Sequence, residues 1–427
     1  MSHGTAGLTV WHVNTTKVGG GVAELVTALM SKVPDSRFQV ARFVTSTDPE
    51  VFAMTKRLHH QIHGIDCGTL PTQAEHRRYM AFAAENAERL LGTMNAADIV
   101  ILHDPQTLAM APLLLDAGFG VAWRCHIGTA NQNDVSSAAW SYLSTFLRPE
   151  LRLVFSDETL IPPIARDAST IVIPPSINPS ATKNIPLTSA EIRQILARNG
   201  LDGPRDVAAG KPTSSVISEM PIGTDPVILQ VSRWDPLKDM IGVLMAFAGS
   251  ALPRRAQLIL CGPVPADVAD DPEAAGVLGE IVAMREQLPA AIRRRVHIVC
   301  PALTDELENA LGVNALQRRA AVVTQKSLQE GFGLTVTEAM WKGRPVVASR
   351  RGGICGQIID GVTGLLLDDP SDGDAFSRLV ARVLDDPAEA ASLGSAAHQR
   401  VADFFTLARE RADHDRLYQS LASAAKG

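Results

Sequence analysis

The sequence predicts an α/β protein built from two doubly wound lobes. Short apolar runs suited to buried strands alternate with helical stretches, which is the pattern of parallel sheets covered on both faces. The alternation is broken once, by a stretch dense in Gly, Pro, Ser and Thr, and then restarts. At 427 residues the chain exceeds one ordinary core, and size limits favour about two to three domains. Apolar residues at 46% and charged residues at 20% supply sizeable cores and exclude a disordered chain.

The first strand series is Leu8 to Val13, Phe38 to Val44, Ile99 to Leu102, Val121 to Trp123, Leu153 to Phe155 and Ile171 to Ile173, with helices at Gly21 to Lys32 and Thr72 to Thr93. After the Pro-rich passage Ile173 to Pro179, a helix is expected near Thr188 to Asn199. Gly200 to Asp225 then reads as a flexible surface connection. The second series is Pro226 to Val231, Gln257 to Cys261, Val296 to Val299, Ala321 to Thr324, Pro345 to Ala348 and Gly364 to Leu367. The tail from Pro387 to Ala425 is helical in pattern. In sheets of this kind ligands bind at the carboxyl ends of the strands, so a cleft between the lobes is the expected site.

Lys plus Arg number 40 against 46 Asp plus Glu, a net −6 without a long block of either sign. A nucleic-acid or anionic-membrane surface is therefore not expected. Met1 to Thr9 lacks the features of a secretory signal, and no apolar run is long enough to span a bilayer. The expectation is a cytoplasmic protein without stable membrane insertion. Cys67, Cys125, Cys261, Cys300 and Cys355 are scattered singly, without zinc or redox spacing, and read as reduced. A homodimer is the default oligomeric expectation.

The segment from Thr324 to Gly343 carries the most chemistry. A strand ends, the turn Gly331-Phe332-Gly333 follows, and a helix begins near Leu334. The glycines let the backbone approach a ligand, and the amide groups of a helix start attract an anion such as a diphosphate. Glu330 and Glu338 flank that turn. Ionised carboxylates only accept hydrogen bonds, so they suit hydroxyl donors: Glu330 a transferred sugar, Glu338 a ribose. The plainer reading is two glutamates that complement the macrodipole of a helix start. Arg233 and Lys238 follow the first strand of the second lobe, where they would neutralise a leaving diphosphate; the plainer reading is a surface loop with an ion pair to Asp235 or Asp239.

In the first lobe, Gly19, Gly20 and Gly21 separate a strand from a helix, yet match neither the dinucleotide nor the P-loop pattern. Gly20 and Gly21 would let this lobe close on a donor, with Glu24 turned to a hydroxylated acceptor. Strand ends carry His103-Asp104-Pro-Gln106 and Trp123-Arg-Cys-His126-Ile127. Asp104, Gln106 and His126 are candidate acceptor or sugar contacts, while His103 reads as structural.

Together these segments resemble the trehalose glycosyltransferring synthases, within the retaining family-4 glycosyltransferases of GT-B fold. The likeness is carried by Trp11-His-Val-Asn14, Gly19 to Glu24, Thr55-Lys-Arg-Leu-His59, His103 to Gln106, Trp123 to Ile127, Ile173-Pro-Pro-Ser-Ile177, Ser232-Arg-Trp-Asp-Pro236 and Glu330 to Gly343. It implies two Rossmann-like domains facing each other across a cleft: an acceptor domain at 1–180, a nucleotide-sugar donor domain at 181–405, and a C-terminal helix at 406–427 packing back on the first. It implies a UDP-, GDP- or ADP-sugar as co-substrate, a small-molecule acceptor and no obligatory cofactor or metal. The implied mechanism is a front-face displacement in which the donor's β-phosphate helps deprotonate the acceptor. By position, Arg233 and Lys238 hold the diphosphate, Glu330 the donor sugar, Glu338 the ribose, and His126 lies beside the sugar.

The departures concentrate on the acceptor side: Gly128 where the family has Asp, Asn178 for Asp, and Gln329 for Arg. Fewer carboxylates mean fewer acceptors for sugar hydroxyls. A natural-product enzyme forming an O- or S-glycoside on a non-glucose acceptor, as in lincosamide-type thiol pathways, therefore stands beside trehalose formation. A sugar-nucleotide epimerase, a pyridoxal phosphate-dependent phosphorylase and a non-catalytic sugar-nucleotide sensor are the alternatives from other classes.

Overall fold

The computed structural model describes residues 8–17, 21–30, 37–166, 169–201, 214–249, 252, 255–265, 273–301 and 306–424. Contacts divide the chain into two compact units: described residues up to Ser176 together with those from Leu407 onward, and Ile177–Thr406. Each unit holds one sheet.

In the first unit the strands are β1 (Leu8–Asn14), β2 (Phe38–Val44), β3 (Ile99–His103), β4 (Gly120–Cys125), β5 (Arg152–Phe155) and β6 (Thr170–Val172). All pair in parallel, in the order β2-β1-β3-β4-β5-β6. The order reverses between β1 and β3. Connections leave in opposite directions there, opening a crevice at the strands' carboxyl ends. Strand alternation sends Val100 and Leu102 to one face and Ile99 and Ile101 to the other. The first face is covered by Met54, Leu58, Tyr79 and Phe82 from the helices Pro49–Ile62 and Gln73–Leu91. Covering the second are Leu417, Tyr418 and Leu421 from the helix Leu407–Ala424.

The second unit contains β7 (Ser214–Ile217), β8 (Val227–Val231), β9 (Gln257–Cys261), β10 (Val296–Pro301), β11 (Val322–Gln325), β12 (Val346–Ser349) and β13 (Leu365–Leu367). Their order is β13-β12-β11-β8-β9-β10-β7, parallel except for β7. Here the reversal lies between β8 and β11, whose loops carry Arg233, Lys238 and Glu330. Apolar clusters cover both faces, one around Leu229, Ile259 and Val323, the other around Ile228, Leu258 and Leu260.

Local signals explain the helix starts. Thr72 and Glu75 form a reciprocal capping box before Gln73–Leu91, and Thr188 and Glu191 do the same before Ser189–Arg198. One expectation is corrected: Gly200 to Asp225 is not wholly a flexible connection. Residues 202–213 lie outside the described residues, but β7 follows them and pairs antiparallel with β10. Only Val216 and Ile217 of this short edge strand pack on the core clusters, and its serines read as loop. The helical tail breaks at Phe405 and Thr406 into Pro387–Phe404 and Leu407–Ala424, one in each unit. Among the described residues no helix is long and apolar enough to cross a membrane.

Candidate functional site

The second unit gathers charged groups at its strand reversal. Gln325 ends β11 and acts as a hub: its amide donates to Ser232 Oγ at 3.2 Å, Ser327 Oγ at 2.9 Å and Glu330 Oε2 at 3.3 Å. Ser327 adds a bond to the same carboxylate oxygen at 3.0 Å. The other oxygen, Oε1, accepts from the Lys238 ammonium at 2.7 Å. Glu330 is 7% exposed and Lys238 19%. The two residues predicted to bind a sugar and a diphosphate are thus brought into one ion pair, with the turn and the helix Leu334–Trp341 directly after Glu330.

The turn needs two glycines for different reasons. Gly333 has φ +85°, a left-handed conformation that costs side-chain-bearing residues energy. Gly352, absent from the sequence reading, has φ +50°, and a Cβ there would lie 1.7 Å from the Glu330 carbonyl oxygen. Glu330 is therefore held by its backbone as well as its carboxylate. Gly331 accepts the Gly353 amide at 2.8 Å. Phe332 is 8% exposed and packs on Phe405, so its side chain belongs to the core and only its backbone is available to a donor. Leu334 opens the helix and is partly buried.

Arg233 ion-pairs with Asp235 at 3.6 Å, with 40% of its side chain exposed against 16% for Asp235, so solvent screens this pair in part. Asp239, the other carboxylate of that loop, is taken by Lys326, a buried lysine just after β11. Its left-handed φ of +49° closes the loop, and its carboxylate accepts the Gly242 amide at 3.1 Å. Glu338 is 5% exposed, ion-paired with Lys183 at 3.4 Å and bonded by the Gln317 amide at 3.4 Å. Next to it, burial lowers the Lys342 ammonium to about 7, while its proton donors meet Asn184 Oδ1 and the Glu338 carbonyl.

The first unit gathers histidines instead, beside the buried Arg124–Glu410 ion pair. His103 Nδ1 and His126 Nε2 are 2.9 Å apart, and His103 Nε2 is 2.9 Å from His12 Nδ1. Burial, reinforced by cationic neighbours, holds all three rings well below the ordinary histidine range. Asp104 has φ +60° and accepts the His126 backbone amide at 2.8 Å; burial raises its carboxyl to about 7. The strained Asp104 backbone is thereby tied to the strand end beside it. Gln106 is half-buried in the short helix Asp104–Leu108. Gly21 opens the helix Gly21–Met30, and Glu24 is exposed in its first turn. Gly19 and Gly20 lie outside the described residues.

The sequence reading did not single out Gln325, Lys326, Ser327 or Gly352. A signal did exist for the first three, polar residues within five positions of Glu330 at a strand end, whereas Gly352 meets Glu330 only in three dimensions.

Comparison with known proteins follows the same division. The family described as trehalose synthase, N-terminal domain, matches residues 12–162, and glycosyl transferases group 1 matches residues 306–400. The trehalose synthase of Pyrococcus horikoshii is 31% identical over 93% of this chain and 86% of its own. That of Rubrobacter xylanophilus is 32% identical over 97% of this chain and 91% of its own. Among solved structures, an α,α-trehalose-phosphate synthase (UDP-forming) from Burkholderia vietnamiensis superposes with a TM-score of 0.71 at 15% identity, covering 98% of both chains; that likeness bears on the fold, which is GT-B. With identity above 30% sustained along nearly its whole length, the chain belongs to the trehalose synthase family and is a glycosyltransferase.

Proposed function

We propose that the enzyme transfers a glycosyl group from a nucleoside-diphosphate sugar to a small hydroxylated acceptor, with retention at the anomeric carbon. The observation that carries this reading is the part-buried Lys238–Glu330 pair at the β8/β11 reversal, immediately before a helix start. An incoming diphosphate offers Lys238 more charge than a carboxylate does, and the amides opening Leu334–Trp341 attract the same group. Released from Lys238, the Glu330 carboxylate is free to accept sugar hydroxyls. Arg233 exchanges its Asp235 partner for the diphosphate, stabilising charge as the glycosyl bond breaks. Glu338 takes the ribose hydroxyls.

On the acceptor side His126, Asp104, Gln106 and Glu24 contact the donor sugar or the acceptor. Glucose is the first acceptor to test, in keeping with the names of the relatives. A specific observation favours a second reading. A Cβ on Gly128 would lie 2.9 Å from the Leu160 carbonyl, so the place of the family's aspartate is closed by backbone. An O- or S-glycoside on a non-glucose acceptor follows if that lost carboxylate matters.

The test is nucleoside-diphosphate release from a panel of UDP-, GDP- and ADP-sugars, with glucose, thiol and aminocyclitol acceptors, followed by mass spectrometry and NMR of the product. Glucose-dependent release of an α,α-linked disaccharide supports trehalose formation with retention. Release only with another acceptor supports the second reading, and an inverted product refutes the front-face mechanism.

A further inference from the structure

The first unit contains a row of four hydrogen-bonded side chains, three of them buried, ending at His126. Tyr418 Oη lies 2.8 Å from His12 Nε2, His12 Nδ1 lies 2.9 Å from His103 Nε2, and His103 Nδ1 lies 2.9 Å from His126 Nε2. His12, His103 and Tyr418 are at most 2% exposed, and His126 is half-buried.

A neutral imidazole carries one N–H and one lone-pair nitrogen. Each ring that receives a hydrogen bond must therefore donate with its other nitrogen, and the row has only two arrangements. In one, all donors point toward Tyr418, and its own O–H needs a further acceptor. No other described residue offers one, and buried donors left unmet are rare and costly. In the other arrangement Tyr418 donates to His12, His12 Nδ1–H to His103, and His103 Nδ1–H to His126 Nε2. His126 then carries its proton on Nδ1, a nitrogen without a hydrogen bond to any described residue.

The adjacent His414 shows the same logic with an unambiguous donor. Arg124 Nη1, which can only donate, lies 2.7 Å from His414 Nε2, so the proton of His414 sits on Nδ1, where it meets the Glu410 carbonyl at 2.9 Å.

We propose that Tyr418, His12 and His103 are positioning residues that lock His126 in the Nδ1–H tautomer, so that it presents a hydrogen-bond donor to the ligand of the transfer reaction. The inference rests on the assignment of His126 to the sugar contact made above. A donor there suits a hydroxyl oxygen of the sugar or acceptor, and it leaves His126 unable to act as a base. Second-layer partners that set an imidazole tautomer are a recurring device where one nitrogen must face a ligand.

Long-range 15N–1H correlation spectra of the ligand-free protein, labelled at histidine, read the tautomers without reference to activity. Nδ1–H at His12, His103 and His126 is expected; Nε2–H at any of them overturns the proposal. Replacing Tyr418 by Phe removes the end that sets the direction. His126 is expected to show both tautomers, with kcat about tenfold lower and KM little changed; a spectrum and kcat equal to wild type overturn the proposal. Should that variant fold poorly, His103→Gln and His103→Leu decide. A glutamine side chain can accept at oxygen and donate at nitrogen, as the ring does, so His103→Gln retains activity that His103→Leu loses; equal activities overturn the relay. Normal turnover in His126→Ala overturns the sugar contact itself, and that result is distinguishable because the wild-type spectrum does not depend on it.

Discussion

At the strand reversal of the first unit, the site is made of histidines that burial keeps uncharged, whereas the reversal of the second holds an ammonium and a carboxylate that neutralise each other. The two solutions behave differently toward a ligand. A row of neutral rings is preorganised by the direction of its hydrogen bonds and needs no counter-ion. An ion pair must be broken before either partner can serve a ligand, so on the proposed function the second unit would keep these charges quenched until the diphosphate arrives.

The sharpest way to break this contrast is to remove a charge. Glu330→Ala or Arg233→Ala is expected to lower kcat by roughly 10²- to 10³-fold, the range for losing one preorganised electrostatic contact, while circular dichroism stays that of the native fold. Near-normal turnover would sink the donor-site assignment. Next in size is Gly352→Ala. Its Cβ would meet the Glu330 carbonyl, and its φ is left-handed. The variant should lose about 2–4 kcal/mol in denaturant unfolding, and a loss below about 1 kcal/mol would show that the loop yields without cost.

Acidification should separate the units. His12, His103, His126 and His414 are held below the unfolded histidine value, so their contribution is complete above about pH 6.5 and falls as pH drops through it, by up to about 1.4 kcal/mol per pH unit for each ring. Asp104 works in the opposite sense. Raised to about 7, it favours the folded state increasingly as pH falls from 7 toward 4, offsetting one of the four rings. The second unit has His297, lowered to about 4, as its comparable buried ring. Hydrogen-exchange protection, corrected for the slower intrinsic exchange at low pH, should fall between pH 7.5 and pH 5 mainly in the first unit, and an equal fall in both would refute the difference. The smallest effects should be alike: Thr72→Ala and Thr188→Ala each remove half of a capping box, one in each unit, at about 1 kcal/mol. Unequal losses would show that one helix start depends on something besides its cap.

The buried strands were legible because parallel strands covered on both faces are continuous apolar runs. Gln257–Cys261 and Phe38–Val44 appear in the structure with the limits read from sequence. The edge strand Ser214–Ile217 was not legible, since half of it is serine and its partner lies about eighty residues away in β10. The same rule governs the sites. Glu330, Lys238 and His126 stand out as chemistry at strand ends, while their partners are set by three-dimensional proximity. Gln325 is joined to Ser232 across 93 positions, and His12 to Tyr418 across 406. No periodicity or motif records such distances, and His103, read as merely structural, proves to be the link between two other histidines.

The helix Leu407–Ala424 has a consequence for the order of assembly. It supplies Leu417, Tyr418 and Leu421 to a face of the first sheet whose strands lie within the first 172 residues. During synthesis the part of that face under Leu417, Tyr418 and Leu421 stays uncovered while all of Ile177–Thr406 emerges, although the intervening unit is free to fold as soon as its own strands are complete. The half of the molecule translated first is therefore finished last, and a ribosome stalled between residues 177 and 406 would display an apolar sheet surface suited to chaperone capture.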